Sequence, residues 1–83
     1  MRLWIGNINP DTSEEDLREF LKKYCGVDCG DVLREDGDGT RPAAVVDFPG
    51  VGHEVMLEYQ RRLHQMFWRD RTINVQVAPD QQG

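Results

Sequence analysis

The chain is poor in cysteine and contains no long hydrophobic run. Its 83 residues include two cysteines, Cys25 and Cys29, too few for the disulfide framework that stabilises many small secreted domains. The longest apolar stretches span a few residues, far short of the roughly 20 that a membrane-spanning helix needs. Met1 leads directly into a strand-like run with no apolar signal segment before it. We therefore expect a cytoplasmic protein with reduced cysteines and no membrane partner.

Metal ligands and catalytic groupings are also scarce. A structural zinc site needs four ligands, and Cys25 and Cys29 have no further cysteine to join them. His53 and His64 lie about 16 Å apart along one predicted helix, so they cannot reach the same ion. Residues 36–39, Asp-Gly-Asp-Gly, lack the glycine spacing and closing glutamate of a calcium loop. No Ser/His/Asp or Cys/His arrangement is indicated, so we expect no metal, no cofactor and no enzymatic activity.

Basic residues are in the minority. The chain has 10 Lys and Arg against 15 Asp and Glu, a net charge of −5. A protein that is held to nucleic acid mainly by long-range attraction usually carries a basic patch, so this balance argues against that mode of binding. Many of the carboxylates fall at the start of the first predicted helix and in the loop over 36–39, away from the face considered below.

The N-terminal quarter of the chain predicts a strand followed by a helix. Residues 2–8 alternate in polarity and are rich in branched and aromatic side chains, which is typical of a strand. Residues 12–15, Thr-Ser-Glu-Glu, predict a capping box in which Thr12 is the N-cap and Glu15 reaches back to it. An apolar stripe at i, i+3, i+4 and i+7 then predicts a helix of about three turns that ends at Gly26. The stripe consists of Leu17, Phe20, Leu21 and Tyr24.

The rest of the chain predicts one more helix and three more strands. These are a strand over 27–35, a strand over 43–48, a helix over 52–65 and a strand over 71–77. The helix would carry Val55, Met56, Tyr59 and Leu63 on one side. The order βαββαβ predicts an α+β domain of the ferredoxin-like type, with a four-stranded antiparallel sheet backed by two helices. We expect this domain to span 1–78 and residues 79–83 to form a flexible C-terminal tail.

Four segments of the chain resemble the RNA recognition motif family in order and spacing. Residues 3–8, Leu-Trp-Ile-Gly-Asn-Ile, are similar to the hexamer motif of the family's first strand. Residues 13–26 resemble its first helix, 41–48 stand where the octamer motif of the third strand belongs, and 71–78 resemble the last strand. The resemblance covers nearly the whole chain. It implies an RNA-binding domain that receives single-stranded RNA on an open sheet face.

Strand periodicity assigns side chains to the two faces of the predicted sheet. The face that contacts the helices would carry Leu3, Ile5, Ala44, Val46, Phe48, Ile73 and Val75. The open face would carry Arg2, Trp4, Arg41, Ala43, Val45, Asp47, Thr72, Asn74 and Gln76. An indole exposed on a sheet favours a ligand that covers it, and in this family that ligand is an unpaired base.

The resemblance implies RNA-binding roles for six residues of the open face. Trp4 would stack on a base, and Arg2 and Arg41 would neutralise phosphate. Asn74 and Gln76 would hydrogen-bond base edges. Val45 occupies the octamer position of a second stacking ring.

The octamer segment departs from the family pattern. Pro42 replaces a glycine, and Ala43 and Val45 replace two aromatic rings, whereas the core-facing positions conform. Each base–aromatic stack contributes about 1–3 kcal/mol, so the loss of two lowers affinity roughly 30-fold to 10⁴-fold. We therefore expect weak RNA binding.

The alternative is a protein-interaction module that has lost most of its RNA-stacking residues. Degenerate octamers and an acidic first helix occur in peptide-binding relatives of this family. Those relatives carry an Arg-x-Phe motif after the second helix, where this chain has Met66-Phe67-Trp68 without the arginine. We expect Phe67 and Trp68 to pack against the edge of the core.

Overall fold

Backbone hydrogen bonding organises the chain into a four-stranded sheet, two helices and a small hairpin. The computed structural model describes residues 1–35 and 42–78. Its elements are β1 (Arg2–Gly6), α1 (Glu14–Cys25), β2 (Val32–Glu35), β3 (Ala43–Asp47), α2 (His53–Leu63), β4 (Phe67–Trp68), β5 (Arg71–Thr72) and β6 (Asn74–Ala78). The predicted loop over 36–39 and tail over 79–83 lie outside the described residues.

The main sheet has the strand order β2-β3-β1-β6, with every neighbouring pair antiparallel. β1 lies between β3 and β6, and its alternate residues Leu3 and Ile5 are fully buried. All seven side chains predicted to face the helices are buried. The predicted α+β, ferredoxin-like architecture is confirmed, and one face of its sheet is left without a helix.

Helix α1 begins one residue later than predicted. Ser13 is the N-cap: its hydroxyl accepts a hydrogen bond from the Asp16 N–H, and the Asp16 carboxylate accepts one from the Ser13 N–H. The predicted box of Thr12 and Glu15 is wrong because Thr12 is fully buried and its carbonyl oxygen accepts a hydrogen bond from Arg34. The predicted end at Gly26 is confirmed, since this residue has a positive φ of 79° and donates to the Lys22 carbonyl.

Helix α2 is shorter than predicted at both ends and presents a narrower apolar face. Met56, Tyr59 and Leu63 are buried, as expected. Val55 was also expected on this face but is 41% exposed. Its position next to Met56 turns its side chain about 100° around the helix, which is enough to place it outside the contact with the sheet.

The chain after α2 forms a hairpin that the sequence did not indicate. β4 pairs with β5 in a separate two-stranded sheet, and the turn residues Arg69 and Asp70 have positive φ of 49° and 65°. Two consecutive positive φ values are characteristic of a type I′ turn, which normally uses Asn and Gly. The predicted last strand is therefore divided, and Thr72, expected on the open face, pairs with Phe67 instead.

Of the two aromatic residues expected to pack against the core, Trp68 does so and Phe67 does not. Trp68 stacks on Phe20 of α1 at a centroid distance of 4.2 Å and packs against the core. Phe67, on the opposite side of β4, is 69% exposed. The alternation of the short strand explains this difference, because two adjacent residues cannot both face the core.

Asn7 connects the end of β1 to the hairpin. It has a positive φ of 59°, a conformation that asparagine tolerates better than most residues. Its side-chain amide donates to the Thr72 carbonyl at 2.9 Å and its oxygen accepts from Arg71 at 3.1 Å. The asparagine of the hexamer motif therefore has a structural role, which is to position the chain that leads into β6.

Candidate nucleic-acid interface

The open face of the sheet carries a continuous row of side chains across all four strands. The register places Leu33 of β2 opposite Val45 of β3, Val45 opposite Trp4 of β1, and Trp4 opposite Gln76 of β6. The four residues share one face because antiparallel register partners point in the same direction. Trp4 lies at the centre of this row, on the side of the sheet that the helices do not cover.

The Trp4 indole lies along β1 and covers Gly6. A Cβ atom on Gly6 would lie 2.7 Å from Cζ2 and Cζ3 of Trp4 and closer still to Cη2. Gly6 is buried even though its register partner Asn74 is exposed, as expected if the indole shields it. Trp4 itself is partly exposed and is not part of the hydrophobic core. The prediction that this ring lies on the open face is confirmed.

The second tryptophan does not cover the first. The Trp68 indole lies nearly parallel to the Phe20 ring, with 23° between their planes, and contacts the core on the helix side. Within the described residues, the Trp4 ring therefore lies over Gly6 and the residue stays partly exposed.

Four of the other predicted site residues lie near Trp4 on the open face. Arg2, Asn74 and Gln76 are exposed and Val45 is partly buried. Arg2 lies opposite Asp47 on β3 and Ala78 on β6. Arg41 falls outside the described residues, so its position relative to this group is not part of the structure. Ala43, predicted on the open face, follows the alternation of β3 but is only 6% exposed.

Leu33 is a candidate contact that sequence reasoning missed. It is 61% exposed although it is a large aliphatic residue in the middle of a strand. It extends the apolar surface of Val45 toward the edge of the sheet. Val32 and Leu33 are both aliphatic, so polarity alone does not show which of them faces outward, and only the pairing with β3 decides it.

Charges of both signs border this surface. A groove of about 540 Å³ at the β2 side is lined by Arg2, Leu33, Val45 and Asp47, together with Glu14, Arg18, Asp31 and Val32. Three basic side chains of α1 and α2 pair with carboxylates: Arg18 with Glu14, Lys22 with Asp28, and Arg62 with Glu58. Arg69 of the hairpin pairs with Asp16. The described part of the interface is thus mixed in charge and is not a basic platform.

The two cysteines have the character of structural residues. Burial raises the pKa of the Cys25 thiol to about 11, and burial also raises the pKa of Cys29. A thiol must lose its proton to bind a metal or act as a nucleophile, so both groups are poorly suited to either task at neutral pH. Within 1–35 and 42–78, no three His, Cys, Asp or Glu side chains are placed to hold an ion.

Neither described helix is long and apolar enough to cross a membrane.

Comparison with known families agrees with this geometry. The family model of the RNA recognition motif matches residues 3–73, which include every strand of the main sheet except the last. The chain belongs to the RNA recognition motif family. This assignment makes it a member of a family of RNA-binding domains that are typically not enzymes.

Solved structures of other RNA recognition motifs have the same fold. The third motif of Mip6 superposes with a TM-score of 0.76 at 20% identity, covering 90% of this chain and 88% of that one. The third motif of Pes4 gives 0.78 at 15% identity, with 99% and 95% coverage. The Rna15 motif, solved with bound RNA (GU), gives 0.73 at 16% identity, with 95% and 83% coverage. No curated protein sequence matches the chain.

Proposed function

We propose that this RNA recognition motif binds single-stranded RNA on its open sheet face, with Trp4 as the stacking residue. The observation that carries the proposal is the indole lying flat over Gly6 at the centre of that face. A flat, partly exposed aromatic ring offers an unpaired base a stacking surface of the kind used in single-strand recognition. A duplex does not offer its bases in this way, so the geometry favours single strands.

The surrounding residues supply the remaining contacts of the proposed complex. Arg2 neutralises a phosphate at one end of β1, and Arg41 contributes a second positive charge. Asn74 and Gln76, both exposed on β6, donate to and accept from base edges. Val45 and Leu33 form an aliphatic floor for the neighbouring nucleotide.

We propose that the affinity is low. Ala43 and Val45 stand at two positions where other members of the family have stacking rings, and each ring contributes about 1–3 kcal/mol. The net charge of −5 removes the long-range attraction that raises affinity in basic domains. The salt dependence of binding should be shallow, because the proposed complex has two arginines, Arg2 and Arg41, to neutralise phosphate.

A titration with short single-stranded RNA pools at low salt tests this proposal. We expect backbone amide shifts at residues 2–6, 43–47 and 74–78 and a change in tryptophan fluorescence. Phe67→Ala is the matched control, because it removes an exposed aromatic ring from the hairpin instead of the sheet. It should leave the titration unchanged. Amide shifts confined to α1, α2 and the hairpin would contradict binding on the open face.

A protein partner on the helix side is the second candidate function, and the exposed hairpin favours it. Phe67 is 69% exposed, and the adjacent Trp68 borders a groove of about 240 Å³ next to Phe20 and Tyr24. Exposed aromatic residues are enriched at protein interfaces. If the protein binds a protein partner and not RNA, adding RNA would leave the amide chemical shifts of β1 and β3 unchanged.

We further propose that residues 1–78 form the folded domain, with 79–83 as a flexible tail, and that the protein acts in the cytoplasm. Removal of residues 79–83 tests the boundary: it should leave the free energy of unfolding unchanged, and a loss of stability would contradict it. Imaging of the tagged protein tests the location, and exclusive nuclear signal would contradict it.

A further inference from the structure

Gly6 is a glycine whose backbone does not require glycine. Among the described glycines, Gly26 and Gly50 have positive φ, whereas Gly6 lies in an ordinary strand conformation that any residue can adopt. Gly6 is the last residue of β1, and a glycine in a strand often marks a place where another group approaches closely. The reason for glycine at this position must therefore lie in the space above it.

That space is occupied by the outer ring of the Trp4 indole. Three of its atoms, Cη2, Cζ2 and Cζ3, stand where the Cβ of any other residue would be. Residues 4 and 6 point to the same face of the sheet because side chains at i and i+2 of a strand always do, so the strand itself cannot move position 6 away from the indole. A methyl group at position 6 must displace the indole, which can move because its outer ring is the free end of a side chain on an open surface.

We infer that Gly6 is a positioning residue for Trp4: its missing side chain lets the indole lie flat on the sheet, and this sets the plane in which a base stacks. The inference rests on the proposed RNA binding and goes beyond it by assigning a role to a residue that need not touch RNA. A ring that lies flat over Gly6 would turn one π face away from the sheet, toward an incoming base. A tilted ring would present an edge and would also reduce the clearance above Val45 and Gln76, its two register partners.

The first test needs no RNA. The Gly6 α-proton that points in the Cβ direction lies under the indole, so the ring current should shift it strongly upfield of the other α-proton in the NMR spectrum of the free protein. Trp4→Ala should abolish this shift. Unshifted Gly6 α-protons in the folded wild-type protein would overturn the inference, whatever the RNA titration shows.

The second test uses Gly6→Ala in two backgrounds. With Trp4 present, Gly6→Ala should move the Trp4 ring signals and lower RNA affinity about tenfold, which is part of the value of one stack. With Trp4→Phe, the same change should alter affinity less than about twofold, because phenylalanine lacks the second ring that covers position 6. Equal losses in the two backgrounds, or no loss in either, would overturn the inference.

Controls separate positioning from folding and from the proposed function. Gly52→Ala adds the same methyl group where nothing lies within 4 Å, and it should leave RNA affinity unchanged. Urea unfolding of Gly6→Ala should show a fold at least as stable as that of the wild-type protein, because alanine suits a strand better than glycine. If Gly6→Ala does not fold, recovery of folding in the Trp4→Phe background would still support the steric conflict, and failure there would contradict it. Wild-type RNA affinity in Trp4→Ala would refute the proposed function, with the ring-current result still valid.

Discussion

The side-chain oxygen Oε1 of Gln60 accepts a hydrogen bond from the backbone N–H of Val77 at 2.7 Å. One turn further along, Nδ1 of His64 accepts from the N–H of Val75 at 3.0 Å. β6 is an edge strand, and these two N–H groups point away from its partner β1. α2 therefore satisfies the outward donors of β6 and keeps this edge from pairing with another chain. The same contacts hold in place the strand that carries Asn74 and Gln76.

Gln60→Ala should destabilise the domain by about 1 kcal/mol, the usual value of one hydrogen bond whose donor is left without its partner. Urea unfolding followed by circular dichroism measures this change. Arg61→Ala, on the exposed side of the same helix turn, is the control and should change the free energy of unfolding by less than about 0.5 kcal/mol. Equal effects of the two substitutions would contradict a specific contact between α2 and β6.

Asn74→Ala should weaken RNA binding more than Gln76→Ala. The outer ring of Trp4 lies over Gly6, whose register partner is Asn74, so a base stacked on that ring has its edge closer to Asn74. Loss of one such hydrogen bond corresponds to about 3- to 10-fold in affinity. RNA titrations of both variants under the same low-salt conditions show which substitution lowers the affinity more. A larger loss for Gln76→Ala would mean that the base lies toward the opposite end of β1.

Asp16 should contribute to acid sensitivity through its bonds to Ser13. These hydrogen bonds, from the Ser13 backbone first and from its side chain second, lower the pKa of Asp16 in the folded state below its ordinary value of 3.8. A lowered folded-state pKa adds stability above the ordinary pKa, and this contribution is lost as the pH falls through the folded-state value.

Asp16→Asn should therefore flatten the decline in the free energy of unfolding below pH 4, measured by urea titration at a series of pH values. Glu15→Gln is the control, because it removes the carboxylate that the sequence had suggested as the capping partner. If Glu15→Gln flattened the curve and Asp16→Asn did not, the observed cap would be wrong.

Val45→Phe should strengthen RNA binding by restoring one stacking ring beside Trp4. The two residues are register partners on the open face, and one base stack contributes about 1–3 kcal/mol, or roughly 5- to 150-fold. Val55→Phe makes the same chemical change at an exposed site on α2 and should leave affinity as it is. An unchanged affinity for Val45→Phe would show that the second nucleotide does not lie over β3.

The sequence predicted best those features that depend on local alternation. Leu3 and Ile5 face the core and Trp4 faces outward because a strand has a period of two, and this period is visible in residues 2–8. It predicted poorly whatever depends on competition between neighbours. Thr12 and Ser13 are both good N-caps with an acidic residue three positions later, and only the burial of Thr12 selects Ser13.

Two features of the site required three-dimensional information. The exposure of Leu33 follows from its register with Val45, since the pair Val32-Leu33 has no polarity contrast of its own. The direction of the Trp4 indole along β1 follows from contact with Gly6, and periodicity assigns a face without assigning a rotamer. The β4–β5 hairpin was missed because Arg69 and Asp70 are unusual residues for a turn that needs two positive φ values.

The affinity of Trp4→Ala for short single-stranded RNA tests the account most directly, measured from amide shifts at low salt beside the wild-type protein and Trp4→Phe. We predict that Trp4→Ala loses about 5- to 150-fold in affinity, the value of one base stack, and that Trp4→Phe retains most of it because a ring remains. Binding by Trp4→Ala that equals the wild type, with the fold intact, would contradict the account.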